Sequence, residues 1–186
     1  MAVMSEHYRD ALVEQIVQSQ PSLGALVRDL SSDLTAGSWD LVSFSFQRGF
    51  EALWDAARKD HSGLLERPLL ALWRQSVELA IKAAIIELAS AIAGSPGHDL
   101  RKLFKQLLDL RSQEGCCDDD DLTREVVAMI AHIQSFDPSA DRFRYPADRG
   151  GARYVGLSVD LDALFQAHWI ITTWCEGAVL ELRGDM

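Results

Sequence analysis

The chain has 186 residues, of which 48% are hydrophobic and 25% charged, and its formal net charge at pH 7 is −10. This composition is typical of one globular domain with or without a short extension, and it excludes a fibrous or wholly disordered chain. The acidic balance also excludes a surface that is basic all over, so any site for a polyanion must be local.

The N-terminal stretch MAVMSEHYRDALVEQIVQSQ contains three acidic residues and no uninterrupted apolar run. A signal peptide and a membrane span both need a continuous apolar segment, so neither fits. The sequence predicts one or two short helices over residues 7–34, broken near Pro21, in a cytoplasmic protein with no membrane partner.

The next segment, SWDLVSFSFQRGFEALWDAARK, carries apolar residues at helical spacing, among them Val42, Phe46, Phe50 and Leu53. The substring LVSFSF could also form a short strand. The longer spacing favours a helix.

The clearest element runs from Arg67 to Ala93. Pro68 suits the first turn of a helix, and Gly94 and Pro96 predict its end. Apolar residues recur on two faces, which indicates a long helix that packs on two sides.

Three further helices follow, over residues 99–111, over residues 122–134, and from Ser158 onward. Ser158 is a suitable N-cap, and Asp160 and Asp162 then lie in the favourable first turn. The predicted fold class is therefore all-α.

We expect a bundle of four to five main helices over residues 38–186 and a helical extension over residues 1–37.

The cysteines do not suggest a disulfide framework, because Cys116 and Cys117 are adjacent and Cys175 lies in an apolar periodic run typical of a buried thiol. The string CCDDDD lacks the convergent spacing of a zinc or calcium site, and we interpret it as a solvated acidic loop. No metal and no cofactor is predicted.

The string FDPSADRFRYPADRGGARY, residues 136–154, is unusual in so acidic a chain, and we call it the arginine loop. Its candidate ligand-binding residues are Arg142, Arg144, Tyr145, Arg149 and Arg153. Guanidinium groups bind phosphate and aromatic rings stack on bases, so the loop predicts an anion site for RNA or a nucleotide.

The alternative is structural: Arg144 would pair with a carboxylate such as Glu78 or Asp99 and lock the loop onto the bundle.

His98 stands at a helix start beside Asp99, where an imidazole could act as general acid or base. A His-Asp pair at a helix entrance also commonly caps backbone amides. Glu78 and Lys82 lie four residues apart and form either an ordinary helix pair or polar support for Arg144 inside the bundle. His168 lies on an apolar stripe, which favours a hydrogen-bonded core histidine.

Three short strings and their order along the chain carry a resemblance to a known family: RQSVELAIK (residues 74–82), GHDL (residues 97–100) and FRYP (residues 143–146). Over residues 39–182 the chain resembles the HEPN superfamily of small bacterial α-helical domains. The resemblance implies a four- or five-helix bundle, a homodimer, and a role in toxin–antitoxin, phage-defence or nucleotidyltransferase-linked systems.

Many HEPN members are metal-independent ribonucleases, marked by an Arg followed about four to six residues later by a His near the start of the last helix. This chain departs from that pattern. Arg58 and His61 are too close together, and Arg124 and His132 are too far apart.

Three hypotheses follow. The first is an RNA- or nucleotide-binding protein of stress or defence that uses the arginine loop. The second is a metal-independent ribonuclease toxin in which His98 is the acid or base and Arg144 stabilises charge. The third is an interaction module that binds itself or a partner such as a nucleotidyltransferase antitoxin.

Overall fold

A computed structural model of the chain describes residues 37–94, 97–156 and 158–184, together with residues 11, 14, 15 and 18. The chain divides into two compact units, Met1–Ala36 and Gly37–Met186. The four described positions of the first unit are helical and exposed, and the Gln18 side chain donates to Glu14 one turn earlier. The rest of the predicted helices over residues 7–34 lies outside the described residues.

The second unit is helical. Its described residues form five helices: α1 (Trp39–Ala57), α2 (Glu66–Ala89), α3 (Leu100–Gln113), α4 (Asp121–Phe136) and α5 (Leu161–Arg183). The predicted all-α bundle is confirmed, and LVSFSF is part of α1 rather than a strand. Over the described ranges the extended pairing is limited to an isolated bridge between Ala147 and Arg153.

Helix α2 is the central element, in contact with α1, α3 and α5. Its buried residues lie on several sides, and Val77, Ile81 and Ile85 are fully buried. Phe50 of α1 and Ile171 of α5 complete the core around it. The predicted packing of this helix on two sides is therefore confirmed. None of the helices described here has both the length and the apolar character that a bilayer crossing requires.

Two predicted helix ends are wrong. Helix α5 starts at Leu161 rather than near Ser158, because the carboxylate of Asp160 accepts two backbone amides at 3.0 Å and displaces serine as the cap. Helix α2 ends at Ala89 rather than Ala93, because Ser90 adopts a left-handed conformation with φ of 58°.

Candidate functional site

The buried carboxylate of Glu78 is the centre of a polar group on α2, and its side chain is 1% exposed. Nζ of Lys82 donates to Oε1 at 2.7 Å, and a terminal nitrogen of Arg74 donates to Oε2 at 3.1 Å. From the segment before α3, Nδ1 of His98 lies 2.9 Å from Oε1. We call Arg74, Glu78, Lys82 and His98 the Glu78 cluster.

Glu78 fixes which nitrogen of the neutral His98 ring carries the proton. Burial alone raises the pKa of Glu78, but hydrogen bonds and charges from Lys82, His98 and Arg74 outweigh burial and hold that pKa below its ordinary value. An ionised carboxylate only accepts hydrogen bonds, so Nδ1 of His98 carries a proton. In the neutral imidazole Nε2 is then an unprotonated acceptor, on a side chain that is 55% exposed. This ring can accept a proton from a bound molecule.

Arg74 holds the cluster in place, and the sequence-based prediction missed it. Its buried guanidinium bonds Glu78 and also donates to the backbone carbonyl of His98, which fixes the segment before α3. Burial lowers the pKa of Arg74, and the charges of Glu78 and Asp137 oppose that shift. Its position one turn before Glu78 in a largely buried helix was the available signal.

Two side chains at the end of α4 bring His98 and the arginine loop to the same end of the bundle. Gln134 accepts the first backbone amide of α3 at 2.8 Å and donates to the carbonyl of Pro138 at 2.9 Å. The buried Asp137 accepts the amide of Arg142 at 3.0 Å. The start of α3 and the base of the arginine loop are therefore fixed to one helix end.

Arg142 is largely a structural residue of the loop. It donates to the carbonyls of Phe136 at 3.2 Å and Val155 at 3.4 Å. Its guanidinium also lies over the rings of Phe136 and Tyr154, at 5.5 and 5.8 Å from their centres. These contacts close the two ends of the arginine loop against each other.

Arg144 does not pair with Glu78 or Asp99, so the proposed partners of the structural alternative are wrong. It donates to the carbonyl of Ala140 at 2.7 Å and to Asp141 at 2.9 Å. Glu78 is occupied by its own cluster, and Asp99 instead caps α3 by accepting the amide of Lys102 at 3.2 Å. The ordinary helix pair of Glu78 and Lys82 and the capping by Asp99 are both confirmed.

Arg149, Arg153 and Tyr145 are the exposed members of the loop. The Arg149 side chain is 90% exposed and reaches Asp141 at 3.4 Å. The Arg153 residue is exposed, and its side chain makes no hydrogen bond or ion pair with the residues described here, while Tyr145 as a whole residue is 52% exposed. Arg153 can meet a ligand without breaking a side-chain hydrogen bond or ion pair, whereas the Tyr145 ring already has the guanidinium of Arg144 at 5.5 Å from its centre.

The tip of the loop is a fixed turn. One carboxylate oxygen of Asp148 accepts the amides of Gly150 at 2.8 Å and Ala152 at 2.9 Å. Gly151 has φ of 85°, a conformation that favours glycine. The backbone between Arg149 and Arg153 is therefore held in one arrangement.

His168 lies apart from these groups, inside the core. Its Nε2 is 2.9 Å from Oγ of the buried Ser76, and its ring stacks against Phe50. Burial lowers the pKa of His168 to about 4. The predicted hydrogen-bonded core histidine is confirmed.

The CCDDDD string is not simply a solvated loop, so that interpretation is wrong in part. Asp118 pairs at 2.8 Å with the buried Arg111, which also donates to Glu181 at 2.7 Å. Within the described ranges, no three His, Cys, Asp or Glu side chains lie close enough together to hold a metal ion.

Comparison with known proteins adds no relative. A scan of protein-family models gave no match, and searches of the curated proteins and of the solved structures gave none either. Any function must therefore be argued from the residues themselves.

Proposed function

We propose that this chain is a HEPN-like cytoplasmic protein of bacterial stress or defence, and that it binds RNA or a nucleotide through the exposed residues of the arginine loop. The observation that carries the proposal is the exposed pair Arg149 and Arg153 at a turn fixed by Asp148, with the exposed Tyr145 three residues before that turn. The order of the RQSVELAIK, GHDL and FRYP strings along the sequence supports the proposed likeness to the HEPN superfamily.

Local charge supports a phosphate ligand. The chain carries a net charge of −10, yet Arg149 and Arg153 are separated by only three residues and both are exposed to solvent. Guanidinium groups donate two parallel hydrogen bonds to a phosphate, and the ring of Tyr145 offers a stacking surface for a base. A turn already fixed by Asp148 loses little conformational entropy on binding.

The arginines have different roles in this proposal. Arg142 and Arg144 use their donors on carbonyls and on Asp141, so they build the loop. Arg149 and Arg153 keep most donors for the ligand. Among variants that fold, RNA binding should therefore depend on Arg149 and Arg153 more than on Arg142 and Arg144.

Retention of labelled single-stranded RNA on the purified protein tests the proposal. We expect the Arg149→Ala, Arg153→Ala double variant to lose most of the retention while keeping the wild-type melting temperature. The matched control is Arg48→Ala, which removes an exposed arginine of α1 that pairs with Glu51. Equal retention by the double variant and the wild type would contradict the proposal.

A metal-independent ribonuclease is the second candidate, and the hydrogen bond between Glu78 and His98 favours it. The free Nε2 of His98 could take the proton of a ribose 2′-hydroxyl as that oxygen attacks the adjacent phosphorus, while the 5′-oxygen leaves and takes a proton from water. Arg144, at the same end of the bundle, would stabilise the charge on the phosphate oxygens.

Incubation of labelled tRNA and unstructured RNA with the protein in EDTA separates the candidates. Cleavage that is lost in folded His98→Ala protein supports the ribonuclease. Salt-sensitive retention without cleavage supports the binding protein. If neither signal is seen, the interaction module remains, with a second copy or a nucleotidyltransferase antitoxin as its partner.

A further inference from the structure

A cavity of about 220 Å³ lies between the start of α2 and the arginine loop. Arg67 and Leu70 line it from α2, and Phe143 and Tyr154 line it from the loop. Leu70 and Phe143 are buried core residues, so the cavity has an apolar floor.

Three charged side chains line this cavity, namely Glu66, Arg67 and Arg142. Arg67 uses one terminal nitrogen to donate to the carbonyl of Tyr145 at 2.6 Å, and its other donors have no partner among the described residues. Glu66 forms no ion pair with either arginine within the described ranges. The cavity therefore has a net positive charge in a strongly acidic chain.

Arg142 adds an unmet hydrogen-bond requirement. Its Nε is buried and has no hydrogen-bond partner, although the two terminal nitrogens bond carbonyls of the loop. Arg142 also contributes its positive charge to the lining of the cavity. The lining thus favours an anionic, oxygen-rich ligand.

We propose that this cavity binds the 5′-phosphate and ribose of a ribonucleotide, either at the end of an RNA or in a free nucleoside monophosphate. The inference rests on the proposed function and names its ligand. Arg67 donates to the phosphate oxygens, and the positive charge of Arg142 attracts them. Glu66 accepts a hydrogen bond from a ribose hydroxyl, and the half-buried ring of Tyr154 stacks on the sugar or base.

The size of the cavity favours a chain end. A volume of 220 Å³ is below the range of about 300–1,000 Å³ typical of sites that enclose a whole small molecule. A phosphomonoester carries about −1.5 to −2 charges at neutral pH, which suits two guanidinium groups better than a diester does.

Paired RNA oligonucleotides of one sequence, with and without a 5′-phosphate, test the inference by binding titration. We expect the phosphorylated RNA to bind about tenfold more tightly, and adenosine 5′-monophosphate to compete for the same site. In Arg67→Ala the difference should disappear. Gly156→Phe should give the same result with both arginines intact, since an added Cβ at Gly156 meets open space beside the cavity.

The control is Arg48→Ala, in which the tenfold preference should persist. Equal binding of the two RNAs by the wild type together with no competition by adenosine 5′-monophosphate, or a preference that survives in both Arg67→Ala and Gly156→Phe, overturns the inference. Those results would leave the proposed function intact, because retention that depends on Arg149 and Arg153 is measured separately. If RNA retention does not depend on Arg149 and Arg153 but the 5′-phosphate preference is intact, the role of the loop tip is overturned instead. Competition by the monophosphate without any RNA preference would assign the cavity to the free nucleotide.

Discussion

Glu78 and His98 are joined by a hydrogen bond of 2.9 Å across 20 positions of sequence, one from the middle of α2 and the other from the segment before α3. The carboxylate is buried and the imidazole is exposed, so a carboxylate fixed in the core holds the position of a ring at the surface. Arg74 strengthens the link because it bonds both the carboxylate of Glu78 and the backbone of His98.

Substitution of Glu78 should be strongly destabilising. Glu78→Ala leaves the buried guanidinium of Arg74 without its ion pair, and removal of one partner from a buried pair costs about 3–5 kcal/mol. Urea unfolding measures the change. Asp109→Ala is the control, because Asp109 pairs with Lys105 on the surface of α3 and should cost no more than about 1 kcal/mol. Similar losses in the two variants would show that the Glu78 cluster has no structural role.

His168 should make stability depend on pH. Its pKa is about 4 in the folded protein and about 6.5 in the unfolded chain, so between these values the unfolded state binds the extra proton. The contribution of His168 to the free energy of unfolding is then fully present above pH 6.5. The free energy of unfolding falls by about 3 kcal/mol as the pH drops toward 4. Urea unfolding at a series of pH values measures this. His168→Gln should have a flatter profile than His61→Gln, whose substituted side chain is exposed.

The four loop arginines should separate into two classes in unfolding experiments. Arg142→Ala removes two hydrogen bonds to carbonyls and two contacts with aromatic rings, and should lower the free energy of unfolding by about 2–3 kcal/mol. Arg153→Ala should change it by less than about 0.5 kcal/mol, because its side chain is exposed. The division of roles is wrong if Arg153→Ala is as destabilising as Arg142→Ala.

The cysteines should react in a set order. Burial raises the pKa of the Cys175 thiol, whereas Cys117 is exposed and its pKa is raised by the nearby Asp119. Iodoacetamide should therefore label Cys117 slowly in the native protein and Cys175 only after unfolding. Peptide mass spectrometry with time identifies each site. Native labelling of Cys175 at the rate of Cys117 would contradict the buried position in the core.

Local patterns predicted the helices well because periodicity reports which faces are buried. The ordinary pair of Glu78 and Lys82 follows from the same geometry, since residues four apart share a helix face. The end of α2 was harder to predict, because Ser90 leaves the helix before the Gly94 signal is reached. At α5 the sequence contains two candidate N-cap residues, and Asp160 rather than Ser158 accepts hydrogen bonds from the first backbone amides.

Partner choice could not be predicted from the sequence. Arg144 bonds a carboxylate three residues away, while Arg67 reaches the loop across 78 residues. Nothing in the local pattern distinguishes these two cases, because side-chain length allows many partners and tertiary packing selects one. For the same reason the hydrogen bond between His98 and Glu78, and the supporting role of Arg74, emerged only from the folded arrangement.

The salt dependence of single-stranded RNA binding tests the central claim most directly. Each phosphate contact contributes about 0.7 to the slope of log affinity against log salt for a single strand. If Arg149 and Arg153 each contact a phosphate, the Arg149→Ala, Arg153→Ala variant should show a slope smaller by about 1.4 than that of the wild type and of Arg48→Ala. An unchanged slope would contradict the claim that the exposed arginines of the loop bind RNA.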